Sequence, residues 1–175
     1  MDLQPYPGTE GTESGPENLL WATEHGDERF VKFLLERQDI NLNAADTKFS
    51  QTLLFWAVEH GHEEVLKLLL EREDIDPNAV DTKYGQTPLG RAVQQGCEGV
   101  VRLLLRREDI NFNTPGVKSH WTPLGWATWA GRERIVELLL QREDINAEIA
   151  DTKHGLKPLQ WAAQQGHEGV VKLLL

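Results

Sequence analysis

The sequence predicts an all-α solenoid in which helix-turn-helix units stack side by side and are joined by extended finger loops. Three observations carry that prediction. The first is recurrence. A shift of 35 residues carries Asp46-Thr-Lys48 onto Asp81-Thr-Lys83, and 70 more carries that onto Asp151-Thr-Lys153. The same register aligns Leu54-Phe-Trp-Ala57, Leu89-Gly-Arg-Ala92, Leu124-Gly-Trp-Ala127 and Leu159-Gln-Trp-Ala162, with Leu19-Leu-Trp-Ala22 one step earlier, giving five copies. The second observation is punctuation. Thr52, Thr87 and Thr122 stand where a hydroxyl can cap a helix, Pro88, Pro123 and Pro158 occupy the first helical position, and Gly26, Gly61, Gly96, Gly131 and Gly166 stand where that helix must stop. The third is the segment that follows each glycine. In Glu63-Glu-Val-Leu-Lys-Leu-Leu-Leu-Glu-Arg72 acids open, an arginine closes and leucines form a broad apolar face that a lone helix could not bury.

Residues 1–15 are rich in Pro, Gly, Thr, Ser and Glu and are expected to form a disordered tail, since they cannot bury enough apolar surface to offset ordering. The array is expected over 16–175, as an N-terminal copy at 16–47 and further copies at 48–82, 83–117, 118–152 and 153–175. The first copy opens on Gly15-Pro16-Glu-Asn18 instead of Thr-Pro, which suits a terminal repeat. The last stops within its second helix at Leu173-Leu-Leu175 without a polar outer cap, so a fragment of a longer product is expected.

These residues carry a family resemblance. The Thr-Pro-Leu opening, the Gly-His turn, the Val-Val-x-Leu-Leu-Leu second helix and the Asn-Ala before the next finger resemble an ankyrin repeat array over about Glu17 to Leu175. Two departures stand out. The period exceeds the family's 33 residues, with the extra residues in the loop after the second helix (Glu73-Asp-Ile-Asp-Pro-Asn78) and in the finger (Asp81-Thr-Lys-Tyr-Gly85). The motif histidine is replaced by Phe55, Gly90, Gly125 and Gln160. The dialect is similar to ankyrin arrays of fungal signalling proteins that carry a nucleotide-binding domain.

Composition narrows the function classes. With 18 Lys and Arg against 28 Asp and Glu, the formal net charge is −10, which disfavours nucleic acid, a polyanion that demands a dense basic surface. The longest apolar runs, such as Val65 to Leu70, are broken by Lys67 and are too short for a bilayer span, so no membrane role is expected. The start Met1-Asp-Leu-Gln-Pro-Tyr-Pro7 lacks the basic start and apolar core of a secretory signal, and the single Cys97 has no partner for an internal disulfide, so a cytoplasmic or nuclear setting is expected.

No catalytic constellation, cofactor loop or metal set is expected. His60-Gly-His62 with Glu63 and Glu64 looks like a metal cluster, yet two histidines across a glycine turn are expected to point apart, and His62 recurs as His167 in the turn. Cys97 occupies that same turn position, which makes it a substitution and not a nucleophile.

Trp21, Trp56, Trp126 and Trp161 recur at one first-helix position, with Arg91 in the third copy. The preferred reading is a packed ladder in which Arg91 lies on a neighbouring ring; the alternative is a binding stripe. Lys48, Lys83, Lys118 and Lys153 form a row beside Asp46, Asp81 and Asp151, read as finger-to-finger pairing and capping. Gly116 breaks the acidic row.

The resemblance implies a concave face made by finger tips and the last residues of each first helix. Carried over by position, its partner-binding residues are Phe49, Ser50, Gln51, Glu59 and His60, followed by Tyr84, Gly85, Gln86, Gln94 and Gln95. The fourth copy gives Ser119, His120, Trp121, Trp129 and Ala130, and the fifth His154, Gly155, Leu156, Gln164 and Gln165. In the fourth copy Trp121 and Trp129 are expected as neighbouring exposed rings flanked by His120 and Tyr84, with a rival account in which one ring folds over the other to repair the missing turn glycine. The implied function is recognition of a protein partner by a chain that is monomeric unless its C-terminal end associates. The alternative is a sensing or regulatory part of a larger nucleotide-binding signalling protein.

Overall fold

The computed structural model describes residues 16–37, 40–118 and 120–175, with the side chains of 16–18 outside that description. The expected tail at 1–15 and Ser119 lie outside the described residues. Helices alternate as short antiparallel pairs: α1 (Pro16–Glu24) with α2 (Glu28–Leu35), α3 (Leu53–His60) with α4 (Glu63–Leu70), α5 (Pro88–Gln95) with α6 (Glu98–Leu104), α7 (Pro123–Trp129) with α8 (Glu133–Leu140), and α9 (Pro158–Gln165) with α10 (Glu168–Leu174). First helices pack on first helices and second on second, so the array is two layers deep. Between the layers runs a core that repeats in register. Ala22, Ala57, Ala92, Ala127 and Ala162 are all fully buried, and a methyl group there lets successive first helices approach closely.

The punctuation works as the residue types dictate. Thr52, Thr87 and Thr122 accept from the N–H groups of Phe55, Gly90 and Gly125. In the fifth copy, where Lys157 replaces the threonine, the Gln160 side chain accepts from the Lys157 N–H at 2.8 Å instead. The stop glycines all take positive φ, between 67° and 82°.

A second device ties each turn to the preceding copy. His62 Nε2 donates to the Glu24 carbonyl at 2.9 Å, Arg132 Nη2 to that of Gln94 at 3.2 Å, and His167 Nε2 to that of Trp129 at 3.0 Å. Each side chain crosses the stop glycine below it: a Cβ on Gly26, Gly96 or Gly131 would come within 2.7, 1.8 or 2.6 Å of His62, Arg132 or His167. Cys97 is too short for this reach, and Gln95 Nε2 donates to the Glu59 carbonyl at 2.9 Å in its place.

The extra residues after the second helix form a further seam. Arg72 donates to the Leu35 carbonyl and pairs with Asp74; Arg107 donates to the carbonyls of Leu70, Arg72 and Ile75 and pairs with Asp109. Asn43, Asn78 and Asn113 each donate to a carbonyl of the next copy (Asp74, Asp109 and Asp144) and accept from a backbone N–H there. Polar side chains at a fixed 35-residue spacing thus satisfy the loop backbone that lengthens the period.

Candidate functional site: the finger and first-helix face

Each finger is a tight loop closed on its own aspartate. Asp46 accepts from the N–H groups of Lys48, Phe49 and Gln51, Asp81 from Tyr84 and Gln86, and Asp151 from Lys153, His154 and Leu156. The aspartates therefore serve their own loops, and the expected pairing with the lysine row gives way to backbone bonds between fingers. The Thr82 N–H donates to the Phe49 carbonyl at 2.7 Å, Val117 to Gly85 at 2.8 Å and Thr152 to His120 at 3.1 Å. Lys118 Nζ adds bonds to the carbonyls of Thr82 and Lys83.

The loop reverses at a left-handed residue in every finger: Ser50 (φ 53°), Gly85 (66°), His120 (65°) and Gly155 (70°). The finger of the fourth copy keeps its turn although a histidine stands where two siblings have glycine. His120 Nδ1 lies 3.0 Å from the Thr152 hydroxyl.

The next position faces inward, which corrects two of the expected partner residues. Gln51 is 1 % exposed and Gln86 4 %, so both lie beneath their fingers and not on the face. Trp121 occupies the same position and is partly buried, its ring centroid 4.5 Å from Trp126, 5.1 Å from Trp129 and 5.4 Å from Trp161. The expected pair of exposed rings is thus an unequal one. Trp121 is the hub of a four-indole cluster, and Trp129, 36 % exposed and stacked 5.0 Å from Trp126, is its open surface.

Tyr84 belongs to a different group. Its hydroxyl donates to Glu59 Oε1 at 3.1 Å, Arg91 lies 4.1 Å over its ring, and Arg91 bonds both Glu59 oxygens, at 2.5 and 3.1 Å. Arg91 therefore rests on the tyrosine of its own finger and not on a tryptophan. Burial is the largest influence on Glu59 and pushes its carboxyl up, but the hydrogen bond and charge of Arg91, with the Tyr84 hydroxyl, outweigh it and hold the group below the ordinary carboxylate value. Glu59 and Gln95 are thus engaged within the scaffold.

The tryptophan column is a set of local stacks and not a ladder through the array. Trp21 stacks on His25 at 4.2 Å, and Trp56 on His60 at 5.3 Å; both indoles border one open groove. His60 and His62 do not point apart: their rings stack 5.8 Å from each other, extending the Trp56 stack. Their nitrogens are engaged, His60 Nδ1 with the Trp56 carbonyl and His62 Nε2 with that of Glu24. Among the described residues no three His, Cys, Asp or Glu side chains gather into a metal-holding group.

Of the remaining expected residues, Phe49 is half-buried between Lys48 and Lys83, whose ammonium groups lie 4.9 and 5.3 Å from its ring centroid. His154, Gln164 and Gln165 are exposed, while Gln94 and Leu156 are half-buried. The positions equivalent to Trp129 on the flanking helices are Gln94 and Gln164, which places the exposed indole between two amides. No helix among the described residues is long and apolar enough to cross a membrane.

Sequence reasoning missed the turn-to-helix bonds and the Arg-Asn seam. The signal for the seam was present in the strict return of Arg72-Glu-Asp-Ile, Arg107-Glu-Asp-Ile and Arg142-Glu-Asp-Ile.

Among the described residues, five helix pairs, linked fingers and a side-chain face that varies over a constant scaffold define a helical repeat array. A family model of ankyrin repeats (3 copies) matches residues 19–115 and 107–175, and the chain belongs to the ankyrin repeat family. Repeats of this family generally mediate protein–protein interaction. A search of curated proteins found no match.

Proposed function

We propose that this chain is a recognition module that holds a protein partner against the face centred on Trp129, with no chemistry of its own. One observation carries the reading: an indole 36 % exposed is fixed from behind by two others, between the Gln94 and Gln164 positions. Exposed indoles cost solubility in a monomer, and a rigid aromatic anchor inside a polar rim has the anatomy of an interface hot spot. Rigidity matters because a ring already held in one rotamer loses little entropy on binding. His120, His154, Gln164 and Gln165 supply adaptable polar contacts around it. The structured finger row supports the same reading, since it fixes the rim.

A photo-crosslinking residue in place of Trp129 tests this against one in place of Phe33, which is 56 % exposed on α2. Capture of a discrete protein from position 129 and not from position 33 is the expected result. Equal capture at both positions, or none at 129, contradicts the reading.

A further inference from the structure

We propose that the cavity walled by Gly116, Trp121 and Trp126 is a binding site for a carboxylate group supplied from outside the chain, which fills the place of the aspartate that Gly116 lacks. Positions 46, 81, 116 and 151 correspond in the repeat and hold Asp, Asp, Gly and Asp. In the siblings the carboxylate is the acceptor at the centre of the loop. Asp151 shows the full set: Oδ1 receives the N–H groups of Lys153 and His154 at 3.0 and 2.6 Å, and Oδ2 receives Leu156 N–H and Trp161 Nε1–H, both at 3.0 Å.

The fourth finger keeps this loop. The Gly116 N–H donates to the Trp121 carbonyl at 3.0 Å, as Asp46, Asp81 and Asp151 do to Gln51, Gln86 and Leu156, and the His120 N–H returns to the Gly116 carbonyl at 2.8 Å. The bonds that close the loop are therefore retained while the carboxylate acceptor is gone. The N–H groups of Lys118 and Trp121 correspond to those of Lys153 and Leu156, and Trp126 corresponds to Trp161. Trp126 Nε1 is buried and has no hydrogen-bond partner, and Trp121 Nε1 shares that condition. A cavity of about 50 Å³ lies there, walled by Gly116, Trp121, Trp126 and Gln86 among others. Buried polar groups ordinarily find partners, and two orphaned indole donors beside one cavity, with the unpaired Gln86 Oε1 in its wall, need an explanation.

A carboxylate supplies it. Its two oxygens offer about four lone-pair sites, enough for both indole N–H groups and the Trp121 backbone N–H, and the Gln86 amide can turn its NH2 group towards them. The room exceeds the roughly 10–15 Å³ that a single water needs. The sibling site also favours the charged form: burial, the largest influence on Asp151, acts to raise its pKa, yet the converging N–H donors bring it down to about 2. The carboxylate can come from a small free acid or from an acidic side chain of a protein. The proposal stands on finger geometry alone and needs no partner on the Trp129 face.

The test follows the indole N–H resonances of the full chain by ¹⁵N NMR during titration with sodium formate, with sodium chloride at matched ionic strength as control. A saturable shift of the Trp121 and Trp126 signals with formate alone is expected, while Trp161, already bonded to Asp151, stays fixed. Gly116→Asp should abolish the response and raise Tm by about 2–4 °C, because the side chain restores the missing acceptor. Trp126→Phe, which keeps a ring but removes the donor, should weaken binding by about ten-fold. Titration with a glutamate blocked at both ends separates the sources: saturation by it as well as by formate assigns a protein side chain, and saturation by formate alone assigns a free acid. Shifts that track chloride, a Gly116→Asp protein that responds like the parent, or one that melts lower would each overturn the proposal.

Discussion

Trp161 donates its indole N–H to Asp151 at 3.0 Å beneath the last finger, and one copy earlier the corresponding pair is Trp126 and Gly116, a donor without its acceptor. The contrast shows how the array is varied. Much of the scaffold repeats in register, and the fourth copy departs from it in connected positions: Gly116, His120, Trp121 and Trp129.

Asp151 makes the last finger sensitive to acid. Its folded pKa of about 2 lies below the unfolded value near 3.9, so the stabilisation is fully present above pH 4 and is lost as pH falls towards 2. Asp151→Asn should lower stability by about 2 kcal/mol at pH 6, with the gap from the parent narrowing below pH 4. Denaturant unfolding of both proteins across that range measures it, and a constant gap would contradict the assignment.

The tryptophan cluster separates scaffold from surface. Trp121→Ala removes the indole that touches three others and should cost about 3 kcal/mol, whereas Trp129→Ala should cost under about 1 kcal/mol because its ring is the most open of the four. Thermal and chemical melts of the two single variants decide it. Equal losses would mean that Trp129 is as much a part of the core as Trp121.

The third turn offers a rescue experiment. Gln95→Ala should destabilise by about 1 kcal/mol, since Cys97 cannot reach the Glu59 carbonyl that Gln95 satisfies. Adding Cys97→His should restore the loss by supplying the bond that His62 and His167 make in their own copies. A double variant no more stable than Gln95→Ala would show that the turn position is not interchangeable.

His120 holds φ 65° without being glycine, a conformation that costs an L-residue about 1 kcal/mol. His120→Gly should therefore stabilise the array by up to about that amount while weakening partner binding, because it removes the imidazole that faces Thr152 on the rim. Stability that falls on this substitution would show that the Thr152 contact outweighs the strain.

The layer architecture was legible because its causes are local. A threonine cap, a proline at the first helical position and a glycine stop act within a few residues, and their spacing shows in the chain. Inward and outward positions of the finger were harder to separate. Gln51 and Gln86 look like surface residues by type, and only the tight loop around Asp46 and Asp81 turns them under. Arg91 was expected on a neighbouring ring and found Tyr84, because Glu59 draws the guanidinium towards that finger. Gly116 was visible as a break in an acidic row, but its consequence needed the Trp161 bond for comparison.

The most direct test of the docking face compares affinity and stability in the same variants. With the protein captured at position 129 in hand, its Kd for the parent, Trp129→Ala and Phe33→Ala chains is measured beside the Tm of each. The account predicts that Trp129→Ala weakens binding by about 30-fold, near 2 kcal/mol, with Tm within a few degrees of the parent, and that Phe33→Ala leaves affinity unchanged. An unchanged Kd for Trp129→Ala, or a loss no greater than that caused by Phe33→Ala, would contradict it.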